Sequence, residues 1–451
     1  MVDLEKVSSG IKKFTVAIDF GSAFIKGAMG VVTENGSIEL VAMEKEPSCG
    51  SISCGKVKNI EQASGLLKTM MKKLKNRISK NLRQHGEVPE DYKIEIEKVY
   101  VTVNVGNLQG VSKMIERNHD HEEITQELLD NMMCENVRLT QRKYPKNSSF
   151  SFYKSFPQCY IVDGVVEENP VGLICDHLMV EYQNILVPGD YFDNLEMCMQ
   201  RAGFENGSYE LIFGVEALAN ASLTPQEMKE GAVLVDFGEE VTSVSIWNNN
   251  TLKYVYELPK GSSRITADLE ELKIPKEIAT VLKHQGCAYE KYTKSQMVTY
   301  EIYGTNRSFD MRTINGIIEC RVDKLMALIA KVKDSVHAGS LVNSAIVVGG
   351  GCNLKGAKEK MEEYLGVGVR KGSVGTLSTN ADVRSWASLL SVIYLGKGES
   401  LRLEKIPQKI EDVPVKNAPK RSKTSVFSLP KLKTMFDIVF TDPSGKESDK
   451  F

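Results

Sequence analysis

No stretch of this chain carries eighteen or more apolar residues in a row, so no helix is expected to span a membrane. The opening, MVDLEKVSSGIKKF, lacks the apolar centre of a signal peptide. An excess of one charge is missing too. Lysine and arginine total 57 against 59 aspartates and glutamates, a net charge of −2, where a dedicated nucleic-acid binder would show a strong basic surplus. No nucleic-acid partner is therefore expected. The nine cysteines have no metal-type spacing; the closest pair, Cys49 and Cys54, sits in a Gly/Ser loop. Without a signal peptide they read as reduced thiols in a cytoplasmic protein. The run NHDHEE places His119 and His121 beside three carboxylates. It reads as a polar approach to a helix, with Thr125 as N-cap and Glu127 in the first turn, and no metal is assigned to it.

What is present is ordinary globular composition, 26% charged and 42% apolar, in a chain long enough for two to four folded units. KFTVAIDFGSAFIKGAMGVV reads as a hairpin with a polar tip, and residues 61–85 as a helix with apolar stripe Leu66, Leu67, Met70, Met71, Leu74 and Ile78. The helix's other face is basic and reads as solvated rather than as a binding patch. DYFDNLEMCMQRAGF is a helix closed by Gly203. Residues 274–340 read as largely helical, and 343–366 as a buried strand, three glycines and a helix.

Chemistry concentrates at three glycine turns. DFGSAFIKG and VDFGEEVT each end a strand with aspartate and turn at glycine, and VVGGGCNLKG lies far downstream. Glycine lets a backbone approach a phosphate, and N–H groups at a turn form an anion-binding concavity. A carboxylate beside such a turn is suited to hold magnesium through water, because that ion keeps much of its hydration shell.

The three turns together resemble the actin/Hsp70 superfamily. Asp19, Gly21, Ser22 and Lys26 match its first phosphate loop, Asp236, Gly238 and Thr242 its second, and Gly349, Gly350 and Gly351 its adenosine motif. Glu216 in VEALANA falls where the superfamily positions an attacking water. The resemblance narrows to the FtsA family of bacterial division proteins through CYIVDGVVEENPVGL, LPKGSSRITADLEE and LKHQGCAY, in one colinear order over about residues 14–398. It puts Gly261 in a nucleotide-side turn and Lys283 against adenine.

The resemblance implies an α/β, actin-like (ribonuclease H-like) two-domain ATPase fold with an inserted lobe and a C-terminal amphipathic helix. Its expected parts are domain I core at 1–89 and 166–212, inserted lobe at 90–165, domain II core at 213–258 and 331–377, and an outer lobe at 259–330. A return helix is expected at 378–400, a linker at 401–427 and a membrane-targeting helix and tail at 428–451. It implies ATP or ADP with Mg as ligand, and Asp19 and Asp236 holding the ion through water. Its implied role is tethering the FtsZ ring to the cytoplasmic face of the cell membrane at the division site. The implied partners are the FtsZ C-terminal peptide, other copies in a filament and later divisome proteins. Alternatives are another actin-like filament or adaptor, of pilus-assembly or shape-determining type, and an actin-fold small-molecule kinase.

One departure from the family pattern stands out. Glu239 and Glu240 occupy the second turn, where relatives usually carry more glycine. A carboxylate about 4 Å from a phosphate adds about 1 kcal/mol of repulsion in water and more in a cleft. Nucleotide binding with weak or absent hydrolysis is the expectation. At the far end Leu429, Leu432, Met435, Phe436 and Val439 share one helical face beyond a Pro-containing basic stretch. That pattern suits the plane of an anionic membrane, with modest affinity per copy because Asp437, Asp442, Glu447 and Asp449 dilute the charge.

Overall fold

β1 (Thr15–Phe20) and β2 (Phe24–Val32) pair antiparallel about the turn at Gly21, and β3 (Ile38–Pro47) extends them. The computed structural model describes residues 13–146, 148–289, 295–335, 342–374, 384–396, 398 and 400–405. After the short pair β4 (Ile52–Ser53) and β5 (Lys56–Val57) comes α1 (Ile60–Gln84), whose N-cap Asn59 accepts from the Gln62 amide. Leu67, Met70, Leu74 and Ile78 are fully buried over the sheet. On the opposite face Lys73 and Arg77 pair with Glu46 and Glu44 at the surface, so the basic stripe is a solvated face. β6 (Tyr92–Ile96) and β7 (Val99–Val103) follow, and β7 joins β1 in parallel.

A lobe then departs from this body: β8 (Gln109–Glu123), α2 (Gln126–Lys143), β9 (Phe150–Val162), β10 (Val165–Glu167) and β11 (Ile174–Pro188). It has its own core of Ile115, Ile124, Leu129, Met132, Leu178 and Val180. Thr125 caps α2 by accepting from the Leu128 amide. Around the His119–His121 run, Asp120 and His121 take positive φ at the end of β8. No metal-holding group of three His, Cys, Asp or Glu occurs among the described residues. The lobe was expected at 90–165. Its elements instead run from β8 through β11, because β11 lies between β8 and β9 and pairs with both, whereas β7 belongs to the first sheet.

The chain returns through α3 (Tyr191–Ala202), which stops at Gly203 in the left-handed conformation, to β12 (Tyr209–Phe213) and α4 (Gly214–Ser222). α5 (Pro225–Glu230) begins with a reciprocal capping box between Thr224 and Glu227. A second body repeats the plan of the first: β13 (Ala232–Phe237), β14 (Thr242–Asn248) and β15 (Thr251–Leu258) form a meander. α6 (Ser263–Glu270) and α7 (Lys276–Gln285) follow. The stretch expected to be largely helical then contains a hairpin, β16 (Met297–Ile302) and β17 (Thr305–Asp310), before α8 (Met311–Ser335). Its two-residue turn, Tyr303 and Gly304, takes positive φ at both positions, as tight hairpins require.

β18 (Ser344–Val348) pairs parallel to β13 as β7 does to β1, then a 3₁₀ turn, α9 (Ala357–Leu365) and β19 (Gly368–Lys371) complete this body. α10 (Ala387–Tyr394) crosses back and buries Leu389, Leu390, Val392 and Ile393 in the first core. β20 (Leu401–Lys405) pairs with β6, so the expected linker starts as a strand held by Leu401 opposite Ile96. One sheet runs β12-β7-β1-β2-β3; the other runs β10-β9-β11-β8-β15-β14-β13-β18-β19. The rest of the expected linker and the helix bearing Leu429, Leu432, Met435, Phe436 and Val439 lie outside the described residues. Among the described residues no helix is long and apolar enough to cross a membrane.

α9 is fastened to α8 by Lys360, whose buried ammonium stands 2.8 Å from Glu319 and 3.0 Å from Asp323. Lys360→Met leaves two carboxylates facing each other without a cation. It is expected to lower unfolding free energy by about 2 kcal/mol, less than for a fully buried pair because both acids are partly solvated. A urea unfolding midpoint unchanged from wild type would refute this.

Candidate functional site

The two hairpins are closed in the same way. The Gly21 amide donates to the Phe24 carbonyl at 3.1 Å, and the Gly238 amide to the Val241 carbonyl at 3.0 Å. A Cβ at either glycine would stand within 2.8 Å of that same carbonyl oxygen. Each hairpin carries an aspartate one residue before the strand end, and both face one cleft of about 370 Å³. The residue opposite the aspartate differs: Asp19 lies across from Lys26, Asp236 across from Ser243.

That difference governs the charges. Asp19 accepts from Thr102 Oγ1 at 2.8 Å and lies 3.7 Å from Lys26 Nζ. Lys26 also donates to the Ser385 carbonyl at 2.6 Å and sits 5.8 Å from the Trp386 ring centre. Asp236 accepts from the Ser388 hydroxyl at 3.1 Å and pairs with no lysine or arginine among the described residues. Burial, aided by the Asp19 carboxylate, pushes Asp236 up to about 6 against the pull of Ser388 and Lys26.

The third glycine segment closes on the second hairpin. Gly349 has φ +86°, and a Cβ there would lie 2.3 Å from Asp236 Oδ1. A Cβ on Gly351 would lie 2.4 Å from the Phe237 ring. Only glycine allows this approach. Lys283, almost fully buried on α7, reaches the Ser262 carbonyl at 3.4 Å and stands 3.9 Å from Glu239. Its burial lowers its pKa while Glu239 opposes that shift.

Asp19, Gly21, Ser22, Lys26, Asp236, Gly238, Lys283 and Gly349–Gly351 thus line one cavity. Three other expected site residues do not line it. Thr242 lies opposite Phe237, so strand alternation turns it from the cleft, and its hydroxyl donates to the Lys260 carbonyl at 2.8 Å. Ser243 occupies the cleft-facing place. Gly261 packs its backbone against the hairpin, where a Cβ would meet the Glu239 carbonyl at 2.3 Å. Glu216 is paired with Lys154 of β9. Trp386 lines the cleft while also packing against the first core.

Glu257 escaped the sequence reading. It is 2% exposed, accepts from Ser243 Oγ at 2.8 Å, and its Oε2 has no hydrogen-bond partner among the described residues although Glu257 lines the cleft. Burial, with Asp236 adding to it, pushes it up to about 8, against the donation from Ser243. The available signal was Val255 and Glu257 in one phase of a strand, an acid where an apolar residue belongs. A buried acid with one oxygen unbonded among the described residues, two strand-end carboxylates, the lysines Lys26 and Lys283 and glycine turns fit a phosphorylated ligand with a hydrated divalent cation.

Residues 233–391 match the sequence model of a family described as cell division protein FtsA. The chain is 23% identical to the cell division protein FtsA of Streptococcus pneumoniae over 364 residues, spanning 79% of this chain and 75% of that one. With the FtsA of Escherichia coli it shares 21% over 412 residues, 87% and 92% of the two chains. A solved structure titled PilM-PilN type IV pilus biogenesis complex superposes with a TM-score of 0.56 at 14% identity, covering 86% of this chain and 97% of that one. At that identity the likeness shows the fold alone.

Glu257 and Asp236 predict a pH dependence for the ligand-free protein. Both folded-state pKa values lie above the ordinary carboxylate values of 4.5 and 3.8. The folded state therefore holds protons that the unfolded state has released, and stability falls as pH rises toward about 8. Glu257→Gln is expected to remove most of the fall between pH 6 and pH 8, the range above Asp236's own titration near about 6. Thermal unfolding across pH in magnesium-free buffer checks it; the same slope in the variant would contradict the assignment.

Proposed function

We propose that this chain is a distant homologue within the FtsA family, built on an actin-like fold, that binds ADP or ATP with Mg and acts in cell division. The observation that supports this most directly is the convergence of three glycine segments and two strand-end aspartates on one cleft. The tight turns closed at Gly21 and Gly238 would let the backbone of both hairpins approach the phosphates, with Lys26 supplying a cation beside the first turn. Asp19 and Asp236 would hold the water shell of a magnesium ion. Lys283 and the Gly349–Gly351 segment would receive the nucleoside. The bound ion would supply charge neutralisation at the phosphates and would offset the burial that, with the Asp19 carboxylate, raises the Asp236 pKa. Glu216, where the resemblance puts the attacking water, is ion-paired with Lys154, which supports weak or absent hydrolysis.

The proposed role is that of a membrane-bound adaptor at the division site, tethering the FtsZ ring, forming filaments and recruiting later divisome proteins. The C-terminal segment around Leu429–Val439 would lie in the cytoplasmic face of the membrane. For the FtsZ C-terminal peptide, a groove of about 640 Å³ between α6 and α8 offers a suitable surface. Its floor includes Ile265, Val322 and Leu325, and its rim carries Lys260, Arg264 and Lys324. An apolar floor with a cationic rim suits an acidic peptide with apolar anchors.

Isothermal titration of magnesium-ADP and magnesium-ATP tests the ligand. At least one is expected to bind, and Lys26→Ala to weaken it by about tenfold or more, since a charge-assisted contact of about 1.4 kcal/mol or more is lost. Absence of heat for both nucleotides would defeat the reading. Liposome co-sedimentation tests the adaptor role. The full chain is expected to carry FtsZ onto anionic vesicles, and a chain lacking residues 426–451 to leave both in the supernatant. Undiminished sedimentation of the truncated chain would exclude this anchor.

A further inference from the structure

Glu240 is not a loose charge at a turn. Its Oε2 accepts from the Cys54 amide at 2.7 Å and from Ser53 Oγ at 3.0 Å. It belongs to the tip of the β13–β14 hairpin, whereas Ser53 and Cys54 belong to the β4–β5 turn of the first body. That turn packs against the first glycine hairpin: the Gly55 amide points at Ser22 Oγ from 3.4 Å, and the Ser48 hydroxyl donates to the Ser22 carbonyl. One carboxylate therefore ties the tip of the second hairpin to the β4–β5 turn that packs against the first. Backbone amide, hydroxyl and anion form the arrangement that ordinarily holds a phosphate oxygen, with the anion supplied by the chain.

The neighbouring glutamate is tied down as well. Glu239 Oε2 accepts from Ser262 Oγ at 3.1 Å, and its other oxygen lies 3.9 Å from Lys283 Nζ. Glu239 and Glu240 stand in the wall that the cleft shares with an adjoining cavity of about 670 Å³. The cleft is thus bounded at its hairpin end by two carboxylates whose positions are set by hydrogen bonds. A phosphate chain that lengthened toward this end would bring its terminal phosphate against these carboxylates.

We propose that Glu240 makes this chain selective for a nucleoside diphosphate over the corresponding triphosphate. Its carboxylate stands in the cleft wall, held there by the Cys54 amide and Ser53 hydroxyl of the adjoining cavity, and repels a terminal phosphate. The proposal rests on the nucleotide reading above and adds a discrimination that reading does not contain.

Titration of the full chain with magnesium-ADP and magnesium-ATP, for wild type, Glu240→Gln and Glu240→Gly, tests it without any activity readout. Wild type is expected to bind the diphosphate about tenfold more tightly, the factor that about 1.4 kcal/mol of differential repulsion produces. Glu240→Gln keeps an acceptor for Cys54 and Ser53 while removing the charge, and is expected to bring the two affinities to within about threefold. Glu240→Gly, which removes both, is expected to favour the triphosphate. Circular dichroism and an unchanged diphosphate affinity in the glutamine variant show that the fold is kept. Wild type binding ATP as tightly as ADP overturns the selectivity alone. Binding of neither nucleotide to wild type overturns the nucleotide reading and the selectivity with it.

Discussion

Two carboxylates at the ends of buried strands, Asp19 and Asp236, have to share one cleft, and much of the surrounding arrangement answers that constraint. A buried carboxylate is tolerated only when hydrogen-bonded, paired or neutralised. Asp19 meets the requirement with Thr102 from β7 and Lys26 from β2, so both of its sheet neighbours contribute a partner. Asp236 has a serine on α10 and no cation of its own, and its proton affinity rises accordingly. The helix that supplies Ser388 is also the one that returns to the first core, and the turn before it holds Lys26 through Ser385. Electrostatic compensation in the cleft and packing of the two bodies are therefore carried by the same segment.

The near-repetition of the two hairpins makes their differences informative. Position for position, Lys26 in the first is replaced by Ser243 in the second, and Ser243 hands its hydroxyl to Glu257. The first hairpin is the cationic side of the cleft and the second the anionic side, with Asp236, Glu239, Glu240 and Glu257 all on or behind its wall. This asymmetry is what a ligand carrying a divalent ion would balance. It also gives Glu240 its bridging position, since only the acidic hairpin has an anion to offer to the amide and hydroxyl of the opposite turn.

Much of the frame was legible in the sequence because local rules produce it. Period-2 alternation with a glycine turn gave both hairpins, the Leu67–Ile78 stripe gave α1, Gly203 stopped α3, and Thr125 capped α2. Where the reading missed, a non-local fact had decided. The β16–β17 hairpin hid inside an otherwise helical region because its strands are short and half exposed. The lobe's extent was misjudged because β11 inserts between β8 and β9, a pairing that no nearby residue announces. Residues 401–405 looked like linker because a strand paired only to β6 needs few apolar residues.

By itself the sequence determined the three glycine turns, the aspartates that precede two of them and the lysine opposite the first. These follow from what a single backbone segment can do, since conformational freedom and strand register are local properties. Tertiary structure alone decided which side chains the cleft would use. It turned Thr242 away and Ser243 inward by the phase of one strand, took Glu216 for Lys154, and left one oxygen of Glu257 without a partner. It also gave Glu240 its meaning. A glutamate in place of a turn glycine reads as an intrusion until the Cys54 amide and Ser53 hydroxyl, 186 and 187 residues away in the chain, are found waiting for it. Hydrogen bonds between distant segments depend on how the bodies meet, and no local pattern records that.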